Sequence, residues 1–207
     1  MNKPVILIGN GGHAAVLTEI LLMQHRTIIG FTAPEKQDNR FGLSYVGTDN
    51  VIDSYSSENV ELVLCLGSVD VSSIRANIFN HYKRKGYKFT SVIHETAVVS
   101  SYANLGEGVQ IMAGTIIQPF AKIADNTIIN TSSSIDHDCS IGENCHIAPG
   151  VALSGNVTVG DCTHIGTGST IIQDIQIGNY VLIGAGSLVL KSVKDHSKVF
   201  GVPAIEK

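Results

Sequence analysis

One histidine of the sequence is flanked on both sides by carboxylates, in the segment Asp136-His137-Asp138. A carboxylate beside an imidazole holds the ring in one tautomer and raises its basicity, which is the usual arrangement of a general base. The sequence therefore predicts that His137 takes a proton from a substrate. The alternative is an exposed histidine among acidic residues that meets only solvent.

A glycine-rich segment near the start of the chain suggests phosphate binding. Gly9, Gly11 and Ala14 fit the pattern G-x-G-x-x-A between a predicted strand and a predicted helix, where backbone N–H groups attract a phosphate. His13 lies at the start of that helix and can donate to the same phosphate. We expect a nucleotide-type ligand. A dinucleotide cofactor is disfavoured because residues 31–34 after the second strand read FTAP, with no acid for the ribose. An empty structural turn is the other alternative.

A six-residue repeat must position most of the remaining groups. From Val99 to Val189, every sixth residue is a large aliphatic. A period of six fits neither a helix nor a simple strand, and it is the hexapeptide signature of a parallel β-helix. Three hexads make one triangular coil, so the chain is expected to form roughly five coils stacked about 4.8 Å apart. The tail, Lys191–Lys207, is not expected to continue a coil.

The phase of the repeat predicts where the histidines point. His146 and His164 are one full coil apart and should stack on one face. His146 is half a coil from His137, so within one chain the two should lie on different sides and could meet only across a subunit interface. Gly155 stands one coil after His137, which predicts open space there for a ligand. A zinc ion held by the three histidines from two subunits is an alternative chemistry.

The first part of the chain alternates strands and helices. Apolar runs at Pro4–Gly9, Thr27–Phe31 and Val60–Leu66 are typical of buried parallel strands. Helices are predicted after the glycine-rich segment and over Asp70–Lys85. This order predicts an α/β, Rossmann-like nucleotide-sugar-binding domain over residues 1–90. The hexapeptide domain with its tail then covers residues 91–207.

Composition limits the function classes. The chain has 207 residues and a formal net charge of −4, which argues against nucleic acid and against an anionic membrane surface as partners. We see neither a membrane-spanning apolar stretch nor a targeting signal, and therefore expect a cytoplasmic protein. The cysteines form no CxxC pair and are interpreted as packing residues of a reduced protein; they are Cys65, Cys139, Cys145 and Cys162.

These features together resemble one known family. The glycine-rich α/β segment, the hexapeptide repeat, SSIDHDC at residues 133–139 and VFGVPA at residues 199–204 are similar to the bacterial sugar O-/N-acyltransferases of the sialic-acid O-acetyltransferase type. Within it, the chain is close to the UDP-4-amino-sugar N-acetyltransferases of the bacillosamine pathway. The resemblance covers nearly the whole chain. It implies a left-handed parallel β-helix, a homotrimer with active sites between subunits, and acetyl-CoA as co-substrate with no metal. It also implies acetyl transfer to the amino group of a nucleotide-linked sugar.

The resemblance also implies roles for individual residues. His137 matches the base and Asp138 its supporting carboxylate, which is a glutamate in the family. Asn130 matches a polar residue that faces the acceptor. The nucleotide side maps to Gly11, Gly12, His13, Thr32, Ala33 and Gly67, although relatives carry acidic residues where this chain has Thr32 and Ala33. The acetyl-CoA side maps to His146, Gly155, Thr167 and Ala185.

The implied mechanism is direct transfer. His137 would deprotonate the sugar amine during attack on the thioester, Asp138 would stabilise the imidazolium, and a backbone N–H or His146 would stabilise the oxyanion. Cys139 and Cys145 have inward-facing phases and are poor nucleophiles. Three alternatives stay open: O-acetylation of sialic acid or another sugar hydroxyl, a non-catalytic binding protein, and a zinc lyase of the hexapeptide class.

Overall fold

The computed structural model describes residues 3–67 and 73–207. Two compact units are present: one contains Met1–Gly67 and Asn77–Val92, and the other contains Ser68–Ala76 and Ile93–Lys207. The predicted assignment of residues 1–90 and 91–207 to two functional domains stays a prediction.

The N-terminal part of the chain is built on a four-stranded parallel sheet. The strand order is β3-β2-β1-β4, and every neighbouring pair is parallel. All four residues of β1 are buried, as expected for a strand covered on both faces. In chain order the elements are β1 Val5–Ile8, α1 Gly12–Met23, β2 Ile28–Thr32, β3 Tyr45–Gly47, a 3-10 helix Asp49–Ser54, β4 Glu61–Leu64 and α2 Ile74–Arg84.

The second helix ends as the sequence predicts. It is observed over Ile74–Arg84, and the predicted start at Asp70 lies outside the described residues. Gly86 follows with a φ of 86°, a left-handed conformation that glycine adopts at low cost after a helix. Phe79 of α2 packs against Phe89 with ring centroids 4.5 Å apart. Neither helix in the described part of the chain has the length and apolar character needed to cross a membrane.

The second unit is a parallel β-helix, as the repeat predicts. Its strands form three sheets of eight, six and five strands. The strands, in chain order, are β5 Val92–Ile93, β6 Val98–Val99, β7 Asn104–Leu105, β8 Gln110–Ile111, β9 Ile116–Ile117, β10 Lys122–Ile123, β11 Ile128–Ile129, β12 Ser134–Ile135, β13 Ser140–Ile141, β14 His146–Ile147, β15 Ala152–Leu153, β16 Thr158–Val159, β17 His164–Ile165, β18 Thr170–Ile171, β19 Gln176–Ile177, β20 Leu182–Ile183, β21 Leu188–Val189, β22 Lys198–Phe200 and β23 Ile205–Glu206.

The register of the β-helix confirms three hexads per coil. Each strand from β6 to β21 pairs in parallel with the strand one coil away, so that Ser134 lies opposite Ala152. Every aliphatic anchor from Ile111 to Val189 is buried in one continuous core. Small polar residues tie adjacent turns together inside this core. The hydroxyl of Thr163, for example, donates to the Gly178 carbonyl at 2.8 Å and accepts the Val181 N–H at 3.0 Å.

The expectation that the tail does not continue a coil is wrong for β22. Lys198 pairs in parallel with Leu182, and Val199 with Ile183. Val199 is buried in the core. The spacing between the paired residues is two shorter than a full coil, so the strand is out of phase with the hexads. Because this connection is shorter than a full coil, the six-residue period does not predict β22, although β22 pairs within the sheet.

Candidate active site

His137 lies at a corner of the β-helix between β12 and β13. Its backbone N–H donates to Asp136 Oδ1 at 2.7 Å, and its Nδ1 is 2.8 Å from Asp138 Oδ2. Asp138 has a φ of 60°, a left-handed conformation that aspartate tolerates better than most residues. Because an ionised carboxylate only accepts hydrogen bonds, Nδ1 carries the proton and Nε2 is the basic nitrogen of the neutral ring.

The side chains of His137 and Asp138 are accessible, and neighbouring carboxylates change the pKa of the histidine. The side chains of His137 and Asp138 are 60% and 55% exposed. The hydrogen bond that His137 donates to Asp138 raises the pKa of the His137 imidazole, and the negative charge of Asp136 raises it further. The corner therefore presents an imidazole that is more basic than usual and open to a ligand. The assignment of His137 as the general base stays a prediction.

Gly155 lies directly beside this imidazole. A Cβ at position 155 would stand 2.7 Å from both Cε1 and Nε2 of His137, closer than ordinary contact. Gly155 therefore makes room for the imidazole itself, and the predicted access of a ligand to His137 stays a prediction. The structure places Gly155 with His137, away from the groove that contains other residues expected to bind acetyl-CoA.

That groove has a volume of about 500 Å³. It brings together four residues that the sequence analysis assigned to ligands: Asn130, His146, Thr167 and Ala185. Thr167 and Ala185 are one coil apart, and together they form part of one wall. The complete lining is Asn130, His146, Ala148, Pro149, His164, Gly166, Thr167, Leu182, Ile183, Gly184, Ala185 and Phe200.

The two groove histidines stack as predicted. His146 and His164 lie opposite each other in β14 and β17, with ring centroids 5.0 Å apart and planes at 87°. Both residues are nearly buried. His146 belongs to the eight-stranded sheet, whereas His137 lies between strands of the six-stranded and five-stranded sheets. The prediction that His137 and His146 face different sides of one chain is therefore confirmed.

Asn130 lies next to His146. Its Nδ2 is 3.1 Å from His146 Nε2, and its Oδ1 accepts the backbone N–H of Thr131 at 2.8 Å. The resemblance implied that Asn130 faces the acceptor substrate. In the structure the amide is in the groove lining, with a histidine as its partner.

Phe200 is a groove residue that the sequence analysis missed. It belongs to β22 in the tail and lines the groove beside Leu182 and Ala185. A Cβ at position 184 would collide with its ring, so Gly184 leaves the space in which Phe200 packs. The apolar run from Val199 to Ala204 could have indicated a further strand. Because it does not follow the six-residue period, it was not included in the predicted β-helix.

The glycine-rich segment lines a second cavity, within the first unit. This cavity has a volume of about 280 Å³ and is lined by Asn10, Gly11, Gly12 and Ala15, together with residues 37–41. Asn10 Nδ2 donates to the Asp38 carbonyl at 3.0 Å, and Asn39 Nδ2 donates to Asn10 Oδ1 at 2.7 Å. These bonds hold the segment 37–41, which includes Arg40 and Phe41, against the glycine-rich segment.

Four of the six residues assigned to the nucleotide do not line this cavity: His13, Thr32, Ala33 and Gly67. Thr32 and Ala33 are buried, and the Thr32 hydroxyl donates to Asp49 Oδ1 at 2.6 Å. Their expected exposure to a ligand is wrong because β3 and the 3-10 helix cover the end of β2. His13 and Gly67 are adjacent, since a Cβ on Gly67 would be 3.4 Å from His13 Cβ. Asp49, in the 3-10 helix, places a carboxylate against the end of β2.

The cysteines are poorly suited to catalysis. Cys139 and Cys145 are fully buried, and burial raises the pKa of the Cys145 thiol to about 12. Burial also raises the pKa of the Cys139 thiol. All four cysteines are free thiols. Within residues 3–67 and 73–207, no group of three or more His, Cys, Asp or Glu side chains is placed to hold a metal ion.

Comparisons with known proteins agree with the two-part architecture. The family model for the PglD N-terminal domain matches residues 4–82, and the model for the bacterial transferase hexapeptide (six repeats) matches residues 120–155 and 156–191. A search of curated proteins gave no match.

Two solved structures are similar over the full chain. The acetyltransferase domain of PglB from Neisseria gonorrhoeae is 32% identical, with 100% of each chain covered and a TM-score of 0.94; it has also been solved with acetyl coenzyme A. PerB from Caulobacter crescentus, a GDP-perosamine N-acetyltransferase solved with CoA and GDP-perosamine, is 33% identical. The alignment covers 100% of this chain and 98% of PerB, with a TM-score of 0.93. WeeI from Acinetobacter baumannii, at 19% identity and a TM-score of 0.67, shares the fold.

Fold and site together define a hexapeptide-repeat transferase with a PglD-type N-terminal domain. The chain belongs to the sugar acyltransferase family that includes the PglB acetyltransferase domain and PerB, and it is an acetyltransferase.

Proposed function

We propose that this chain transfers the acetyl group of acetyl-CoA to the amino group of a nucleotide-linked sugar, of the 4-amino-4,6-dideoxy type. The observation that carries the proposal is the exposed His137–Asp138 pair, in a chain 33% identical over its full length to a GDP-perosamine N-acetyltransferase. That relative has also been solved with a histidine replaced by alanine or by asparagine, in complex with CoA and GDP-perosamine.

The reaction we propose needs one base and no covalent enzyme intermediate. The sugar amine attacks the thioester carbon, a C–N bond forms, and the C–S bond breaks. Nε2 of His137 takes the proton that the amine loses, and Asp138 stabilises the resulting imidazolium. The imidazolium then gives this proton to the departing CoA thiolate, which restores neutral His137. The buried thiols of Cys139 and Cys145, whose pKa values burial raises, support direct transfer over a thioester on the enzyme.

The groove is the proposed site of acetyl-CoA. Its lining combines the small residues Thr167 and Ala185 with the apolar side chains of Leu182 and Phe200, which suits an extended ligand. His146 would then lie at the thioester end. Gly155, also assigned to this ligand, would act instead through the position of the His137 ring.

His137 and the groove lie on different sides of one β-helix, which supports an active site shared between protomers. We propose a homotrimer in which His137 of one protomer serves the groove of its neighbour. Sedimentation of the purified protein would test this assembly. A monomer with full activity would contradict the shared site.

The cavity of the first unit is the proposed site of the sugar nucleotide. Gly11 and Gly12 offer backbone N–H groups at the start of α1, and Arg40 adds a positive charge on the opposite wall. A diphosphate suits this combination of groups. We accordingly propose that the first ninety residues hold the nucleotide and that residues 91–207 carry acyl transfer.

The decisive assay is release of free thiol from acetyl-CoA. The acceptors would be UDP-, GDP- and dTDP-linked 4-amino sugars and free sialic acid, tested with the wild type and with His137→Ala. His81→Ala is the matched control, since His81 is an exposed histidine of α2. Turnover with one nucleotide amino sugar, lost in His137→Ala and kept in His81→Ala, is the expected result. Activity with sialic acid alone would replace the proposal with O-acetylation.

A further inference from the structure

The amide of Asn130 has a fixed orientation. Its Oδ1 accepts the backbone N–H of Thr131 at 2.8 Å, a bond that only the oxygen can make. The other end of the amide, Nδ2, therefore faces His146 and stands 3.1 Å from Nε2 of that ring. An amide nitrogen only donates hydrogen bonds, so the direction of this contact follows from the network.

The direction of this hydrogen bond determines which ring nitrogen of His146 carries a proton. Nε2 can accept from Asn130 only if it carries no proton. A neutral imidazole has one protonated nitrogen and one acceptor nitrogen, so the proton must lie on Nδ1. A doubly protonated ring would place an N–H against the amide N–H, which is repulsive.

We propose that Asn130 is a positioning residue that holds His146 as the neutral tautomer protonated on Nδ1. The near burial of His146 and its edge-to-face contact with His164, 5.0 Å away, limit rotation of the ring and so preserve the assignment. Nε2 of His146 is then occupied and does not donate to the thioester oxygen.

The Asn130 amide can also stabilise the oxyanion that forms on the thioester carbonyl. The Nδ2 group of Asn130 has two hydrogens, and one bond to His146 uses only one of them. Within residues 3–67 and 73–207, no second acceptor for this nitrogen is found. Asn130 lines the groove, so its remaining N–H is a side-chain donor that it can offer to developing negative charge. This catalytic consequence rests on the proposed acetyl transfer, whereas the tautomer does not.

The tautomer can be measured without any substrate. Protein labelled with ¹⁵N-histidine gives long-range ¹H–¹⁵N correlations that distinguish the two neutral tautomers and the imidazolium. The signals of His146 are assigned by their loss in His146→Gln. The expected result for the wild type is the Nδ1–H tautomer, and an Nε2–H tautomer would overturn the proposal whether or not the enzyme is active.

A pair of variants tests whether Asn130 is the cause. Asn130→Asp keeps an acceptor for the Thr131 N–H but replaces the donor with a carboxylate oxygen, which should draw a proton onto Nε2. Asn144→Asp adds the same charge to the same β-helix at a residue whose Oδ1 already accepts, from Asn126 Nδ2 at 2.8 Å. We expect the His146 pattern to change in Asn130→Asp and to stay unchanged in Asn144→Asp. An unchanged pattern in a folded Asn130→Asp would reject the positioning role.

Activity supplies a separate readout. If the proposed reaction is right, Asn130→Asp should lower kcat about 100-fold, the loss typical of a misplaced oxyanion donor, while KM for the sugar nucleotide stays near the wild-type value. A confirmed tautomer with unchanged kcat would keep the assignment of the ring and remove its role in this reaction.

Discussion

Replacing Gly155 with alanine should displace the proposed base, His137, and lower the rate, although the His137 side chain itself is not replaced. The added Cβ would stand 2.7 Å from Cε1 and Nε2 of His137 and 3.3 Å from Nδ1. Ordinary contact begins at 3.4 Å, so the ring must retreat by about 0.7 Å or rotate away. A movement of this size changes the position of Nε2 and the geometry of the 2.8 Å hydrogen bond to Asp138. Misplacement of a reacting group by about 1 Å can cost on the order of 100-fold in rate.

The fold should survive the same change. The three atoms nearest to the added Cβ all belong to the His137 ring, which is an exposed and movable side chain. We therefore expect Gly155→Ala to lower kcat about 100-fold while the midpoint of thermal unfolding changes little. The assay is thiol release at saturating acceptor, paired with circular dichroism.

A double-mutant cycle separates this mechanism from a general disturbance of the corner. In a His137→Ala background the obstructed ring is absent, so Gly155→Ala should cause no further loss of the residual rate. Wild-type kcat in Gly155→Ala, or a second loss of similar size in the double variant, would refute the inference that Gly155 acts through the imidazole.

Three further predictions concern the base, the core and the nucleotide cavity. Asp138 raises the pKa of His137, and the base must be unprotonated to act; Asp138→Asn should therefore move the acid limb of the kcat/KM profile to lower pH and reduce the plateau. Thr163→Val should lower the free energy of unfolding by about 2–4 kcal/mol, because it leaves a buried carbonyl and a buried N–H unpaired; the exposed Thr158→Val is its control in urea denaturation. Arg40→Ala should raise KM for the sugar nucleotide at unchanged KM for acetyl-CoA, and an unchanged nucleotide KM would remove Arg40 from the site.

The β-helix was predictable because the same burial of an aliphatic side chain recurs in every hexad. Each hexad must bury one aliphatic residue, and the same requirement recurs from Val99 to Val189, so the period marks the core directly. The pairing of His146 with His164 could be predicted from their spacing in the sequence, which is one full coil. The strand β22 of the tail was not predicted from the period, because it joins the sheet after a connection two residues shorter than a full coil. A strand that pairs by backbone hydrogen bonds needs no fixed spacing, so Phe200 could be placed in the groove only by the structure.

The two ligand regions differ in how far sequence spacing could define them. At the corner, Asp136, His137 and Asp138 are consecutive, so local geometry is enough to place a carboxylate beside the ring. In the first unit, the wall opposite the glycine-rich segment comes from residues 37–41, which carry no periodic pattern and are held by bonds from Asn10 and Asn39. Likewise, Asp49 reaches Thr32 across 17 positions of sequence. Tertiary structure therefore brings a carboxylate to the end of β2 that lies outside the strand. Because Asp49 lies in the 3-10 helix and not at the end of the strand, spacing along the sequence could not place its carboxylate beside the buried Thr32 hydroxyl, which donates to it.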